Sequence, residues 1–226
     1  MAKDDVSVET RGRLLRAAIE VFAEKGYRNT TLREICGRAE ANIAAVNYHF
    51  GDKERLYEAV IDHAIALGEA KQPRELDPQC SSPESRLRQI VTGVLNHLLG
   101  DDRPTDQVIQ LMSRELIEPT PSLDRMIEIG VRPFHQMLAG IVEELLGTAA
   151  TPELVRDCPL SIMAQCVYYH HSVAVIERLF PIDVHSQSTI DSLIDHIMQF
   201  SLGGIQALAE QALPEQALPE SAAVAK

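Results

Sequence analysis

Between Gly26 and Lys53 the chain is punctuated so closely that it has room for two helices of about two turns each. The stretch reads GYRNTTLREICGRAEANIAAVNYHFGDK. Gly26 stops the segment before it, Thr30 and Thr31 offer caps, Asn42 can cap again, and Gly51 ends the run just before the capping residue Asp52. In the first short helix Leu32, Ile35, Cys36 and Ala39 lie along one side. In the second, Val46 and Phe50 share a side and can pack against them, while Ala44, Ala45 and Tyr48 point the other way and Asn47 sits on a shoulder. Two short helices joined by about four residues make a helix-turn-helix, whose second helix can enter a major groove about 12 Å wide.

The flanks agree with this. Leu14, Leu15, Ala18, Ile19 and Phe22 recur at helical spacing before it, and Leu56, Val60, Ala64 and Leu67 after it. Residues 8–57 are therefore expected to form a helix-turn-helix domain, with a linking helix to about residue 70. KQPRELDPQCSSP (71–83) carries three prolines and no periodicity, and it is expected to connect that head to a larger body. From Ser82–Pro83, a cap followed by proline at the first helical position, five to six further helices are expected over 83–210. One starts near Thr105; another restarts at Ser122 with a bend at Pro133. An apolar helix spans about 159–180 after a short helix or turn at TPELVRDCP, and a last one spans about 188–210. The twice-repeated EQALP leads into a tail, 211–226, expected to be disordered. Aromatic content of 4% without tryptophan requires a core of Leu, Ile, Val and Ala, so the fold class is all-α.

Charge separates head from body. The net charge is −12, yet Thr10 to Arg55 holds nine Lys or Arg against six acids. An acidic body behind a basic head repels DNA everywhere except through the head. The N-terminus has no apolar signal region and no apolar run is long enough to span a membrane, so a cytoplasmic protein with no membrane partner is expected. Cys36, Cys80, Cys158 and Cys166 are scattered without a Cys-x-x-Cys pair, which suits reduced thiols and indicates no bound cofactor or metal.

On the second short helix, the small Ala44 and Ala45 let the backbone approach a surface, and Asn47 can bond a base edge. Tyr48 and His49 can donate to phosphate, and Lys53 adds charge beside the free amides of the next helix. The plain alternative is that Tyr48 and His49 are half-buried packing residues. LLRAAIEVFAEKGYRNTTLREICGRAEANIAAVNYHFGDKERLY then carries a resemblance: from about Arg11 to Tyr57 the chain resembles the DNA-binding domain of the TetR family of transcriptional regulators. The resemblance implies that Thr31, Tyr48, His49 and Lys53 contact phosphates and that Arg33, Ala44, Ala45 and Asn47 face bases. A tyrosine often stands in that family where this chain has Asn47. Over about 83–205, RELIEPTPSLDRMI, FHQMLAGIVEELLG and SIMAQCVYYHH resemble the C-terminal domain of CecR-type regulators. The family implies a homodimer built on the last two helices, a double-stranded operator in inverted repeat and a small-molecule effector.

Candidate ligand-cavity residues are Met112, Glu115, His135, Met163, Tyr168 and His171. Cys166 and His170, four apart, share a helical face at a spacing that suits a metal or a thiol-dependent sensor or enzyme. No second close pair completes a metal site, and no nucleophile motif accompanies Arg114, Glu115 and Glu118. The chain is expected to be a ligand-responsive, DNA-binding transcriptional regulator, most simply a repressor, and not an enzyme.

Overall fold

A computed structural model describes residues 3–69, 82–101 and 106–212. Most of the expected linker, Cys80, the helix start near Thr105 and the tail beyond Ala212 lie outside the described residues. Among those residues the secondary structure is helical throughout, with no strand. The helices are α1 (Lys3–Asn29), α2 (Leu32–Arg38), α3 (Ile43–His49), α4 (Lys53–Glu69), α5 (Pro83–Leu99), α6 (Asp106–Ile117) and α7 (Ser122–Met126). They continue with α8 (Arg132–Leu146), α9 (Pro152–His171), α10 (Val173–Leu179) and α11 (Gln187–Ala212). A π-helical turn, Ile127–Val131, joins α7 to α8.

The chain divides into two compact units, Met1–Arg74 with Asp102–Pro133, and Glu75–Asp101 with Phe134–Lys226. This differs from a head ending before residue 83. Helices α6 and α7, expected in the body, contribute Val108, Leu111 and Met126 to the same buried cluster as Leu14, Phe22, Val46 and Val60. Three tyrosine and phenylalanine rings tighten that cluster: Tyr57 lies edge-on to Phe22 at 4.8 Å and tilted against Tyr27 at 4.8 Å.

Two capped ends set the helix-turn-helix. Thr31 caps α2 in a capping box with Glu34, and Asn42 caps α3 by accepting from the Ala45 amide at 2.8 Å. Gly26 interrupts α1 with φ 76°, and the buried Thr30 hydroxyl donates to the Gly26 carbonyl at 2.7 Å, which fixes the bend. In the turn between α2 and α3, Glu40 adopts φ 49°, a left-handed conformation usually given to glycine.

The second unit packs α5, α8, α9 and α11 around Leu87, Val91, Leu95, Leu138, Val142, Ile190 and Ile197. One expectation changes here. Helix α9 begins at Pro152 and runs straight through the buried Pro159, so the short segment and the apolar helix are one element; the break falls instead at Ser172, ahead of α10. In the first unit, α7 starts at Ser122, where a helix was expected to restart. A π turn, where the Arg132 amide bonds back to Ile127, lies just before Pro133, the position at which a bend was expected. The widened turn gives the proline ring the space that a regular helix would deny it.

Candidate nucleic-acid interface

Helix α3 turns two faces to different surroundings. Val46 is fully buried and Phe50 8% exposed against the core, and Ala45 packs beside them. Ile43, Ala44, Asn47 and Tyr48 are exposed, Tyr48 by 80%. At about 100° per residue these four occupy a continuous arc of roughly 140°. Ala45, expected to face bases, is half-buried and turned toward the core. Ile43 takes its place on the open arc, a residue the sequence reading passed over because an isoleucine at a helix start looks like core.

Basic residues stand on the helices next to α3 in sequence. Arg28, Arg33 and Arg55 are exposed and form no ion pair among the described residues, whereas Arg38 is held by Glu24 at 2.7 Å and Lys25 by Glu34. The Arg11 guanidinium lies over the Phe50 ring at 5.1 Å, at the end of α3. Lys53 places its Nζ 4.5 Å from the centre of the Tyr27 ring, and burial pulls its ammonium below the usual lysine range while Glu34 opposes that. Tyr48 stacks edge-on against the half-buried His49 at 4.9 Å.

Thr31 is differently placed from what a phosphate contact requires. Its hydroxyl donates to Glu34 Oε2 at 3.0 Å and its amide donates to the same oxygen at 3.0 Å, so both of its donors are occupied. The bonds from Lys25 and from the Thr31 amide and hydroxyl hold the Glu34 carboxyl down at about 2. A phosphate reaches Thr31 only by displacing Glu34 from the capping box.

The six cavity candidates do not share surroundings. Met112 packs on the core of the first unit, where Glu115 is also buried and fully engaged. It accepts from the Tyr57 hydroxyl at 2.6 Å, the Thr120 amide at 2.9 Å and the Thr120 hydroxyl at 2.8 Å. In the second unit Met163 packs on the core and His135 is half-buried, while Tyr168 and His171 are exposed. Cys166 is completely buried, and burial pushes its thiol up to about 12, the opposite of what a reactive thiolate needs. Among the described residues no three His, Cys, Asp or Glu side chains gather to hold a metal, and no helix is long and apolar enough to cross a membrane.

An exposed apolar strip runs along α9, α10 and α11 of the second unit: Leu160, Tyr168, Val175, Leu179 and Phe200 are each more than half exposed. Beside Phe200, a groove of about 360 Å³ between α9 and α11 is lined by Leu154, Cys158, Ile162, Phe200, Ile205 and Leu208, among others.

Comparison with known proteins gives a consistent picture. Residues 83–205 match the family model described as the C-terminal domain of the HTH-type transcriptional dual regulator CecR, and residues 14–60 match that of bacterial regulatory proteins of the tetR family. The HTH-type transcriptional dual regulator CecR of Shigella flexneri is 30% identical over 152 residues, covering 63% of this chain and 67% of that protein. The HTH-type transcriptional repressor NicS of Pseudomonas putida is 22% identical over 204 residues, covering 87% of this chain and 92% of that protein. Among solved structures, HlyIIR, a hemolysin II transcriptional regulator, superposes with a TM-score of 0.60 at 21% identity, covering 84% of this chain and 97% of that one. A TetR-like transcriptional regulator from Rhodococcus sp. RHA1 superposes with a TM-score of 0.62 at 20% identity, covering 87% and 96%.

Proposed function

From the premise that the chain belongs to the TetR family of DNA-binding transcription regulators, with a C-terminal domain of the CecR type, we propose that it is a cytoplasmic repressor released from an inverted-repeat operator by a small molecule. The observation that carries this reading is the exposed arc of α3, with exposed arginines on the neighbouring helices α1, α2 and α4 of a chain that is otherwise strongly acidic. Ile43, Ala44 and Asn47 face base edges; Tyr48, His49, Lys53 and the exposed Arg28 and Arg55 take phosphates. Arg33, at the start of α2, reaches the edge of the same site. Thr31 serves by holding α2 in place rather than by touching DNA.

The protein acts as a homodimer through the apolar strip on α9, α10 and α11, because one head alone supplies too few phosphate contacts for a stable complex at physiological salt. A shared two-fold axis then sets the two α3 helices on successive major grooves. The effector acts by favouring one head-to-head spacing over another, a preference of a few kcal/mol. Support for a route comes from the chain path: segment 102–133 belongs to the first unit, while the residues on both sides of it belong to the second. A displacement within the second unit therefore pulls α6 and α7, which share the core of the DNA-binding head.

Genomic footprinting with the purified full chain tests the reading. Protected inverted repeats with a steep inverse dependence on salt are the expected result; protection that is absent, or salt-independent, refutes it. Relatives named as a repressor and as a dual regulator bracket the direction of control. Reporter expression from a protected promoter, with and without the gene, decides between them: lower expression with the gene supports repression, and higher expression overturns it.

A further inference from the structure

The exposed arc of α3 has a composition that restricts what it can read. Asn47 is its one side chain able to form two hydrogen bonds with a single base, and one turn before it lie Ile43, 41% exposed, and the exposed Ala44. No Lys, Arg, Asp or Glu stands anywhere on α3. Guanine is read most strongly by a cation on O6 and N7, and cytosine by an acid on its amino group; α3 has neither. An amide matches adenine, donating to N7 and accepting from N6, and apolar carbons match the C5-methyl of thymine.

Spacing adds a second restriction. Asn47 sits above Ile43 and Ala44 at i+4 and i+3, so the three side chains form one contiguous patch. The patch extends roughly 6 Å along the helix, close to two base-pair steps of about 3.4 Å. The other polar groups on α3 do not compete for this position. Asn42 spends its carbonyl on the Ala45 amide, and His49 is half-buried on the far shoulder. Arg33 is exposed on α2, a different element from this patch.

Resting on the DNA-binding reading above, we infer that each operator half-site places two consecutive A·T pairs under α3. Asn47 binds the adenine of one, and Ile43 and Ala44 pack on thymine methyl groups. Specificity at the centre of each half-site is thus carried by methyl groups and one amide.

Selection of full-length protein on a random duplex library, followed by atom-level changes in the selected sequence, tests this. Two adjacent A·T pairs are expected in each half-site. Replacing the contacted adenine by 7-deazaadenine removes only N7 and should weaken binding roughly 5- to 100-fold. Replacing thymine by uracil removes only the methyl and should weaken binding about three- to fourfold. Asn47→Ala should abolish the difference between adenine and 7-deazaadenine, and Ile43→Ala should reduce that between thymine and uracil, with Ala44 keeping its share. Both positions are on the surface, and the changes on the DNA side need no protein variant at all. G·C pairs selected at the centre, or tolerance of both base analogues by the wild-type chain, overturn the inference while leaving the DNA-binding reading intact. A library from which nothing is enriched overturns both.

Discussion

Replacing Tyr57 by phenylalanine isolates the hydrogen bond that ties α4 to α6. The ring is 3% exposed and its packing on Phe22 and Tyr27 is unaffected by loss of the hydroxyl. What disappears is the 2.6 Å bond to Glu115, a carboxylate that is itself 1% exposed. Its other oxygen keeps both bonds from Thr120, so one oxygen is left buried without a donor. A bond to a charged group contributes about 1.5–3 kcal/mol, and that range is the expected cost of Tyr57→Phe. The cost should be local. Hydrogen exchange on the intact protein should show the amides of α4 and α6 opening more easily by that amount, with those of α5 and α11 unchanged. Glu115→Leu removes this bond together with those from Thr120, so it should cost more, and the two changes together should cost less than their sum because they share the bond. Additive costs, or equal loosening of both units, would refute a local latch. The phenol also carries a pH signature. Burial, then the bond to Glu115 and its charge, raises its pKa above the ordinary tyrosine value. Stability from this group is therefore complete below about pH 10, the unfolded value, and declines as pH rises beyond it. Tyr57→Phe should flatten that alkaline decline, and an unchanged pH profile would count against the assignment.

Other consequences are open to simple measurement. Phe200→Asp should leave the fold intact, since the ring is 65% exposed, but should convert dimer to monomer in sedimentation; a stable dimer would place the interface elsewhere. Glu40→Gly, at φ 49°, should stabilise the first unit by about 1 kcal/mol in hydrogen exchange, because glycine occupies left-handed backbone without strain; a loss of stability would mean that the Glu40 side chain matters more than its backbone. Thr31→Ala should cost about 1 kcal/mol through loss of the cap on α2. It should also let the Glu34 carboxyl titrate higher than its present value of about 2, seen by NMR titration. The stabilising contribution of Glu34 is present above the ordinary carboxylate range and is lost as pH falls through that depressed value. Cys166, with its thiol at about 12, should alkylate about a thousandfold more slowly than a free thiol at neutral pH, and fast native labelling would reopen a thiol-based activity.

The helix-turn-helix was legible from its caps because local chemistry decides it. Thr31, Asn42 and Asp52 bond amides three residues away, and Gly26 and Gly51 take positive φ, so neighbours in sequence suffice. The unit to which α6 and α7 belong was not legible. Periodicity shows that Val108, Leu111 and Met126 need burial, but not which surface buries them, and the proline-rich segment before α5 suggested that everything after it was a single body. Glu115 shows the same limit more sharply. In sequence it is one acid beside two prolines and could equally belong to a ligand cavity; only the approach of Tyr57, fifty-eight residues earlier, turns it into a structural anchor. The recognition face was legible in outline and blurred at its edges, because rotation about a seven-residue helix is set by its partners, and a small rotation exchanges Ala45 for Ile43. That exchange alters what the face can do. With two alanines it approaches DNA closely and reads little, whereas with an exposed isoleucine beside Asn47 it has enough chemistry to choose a base pair.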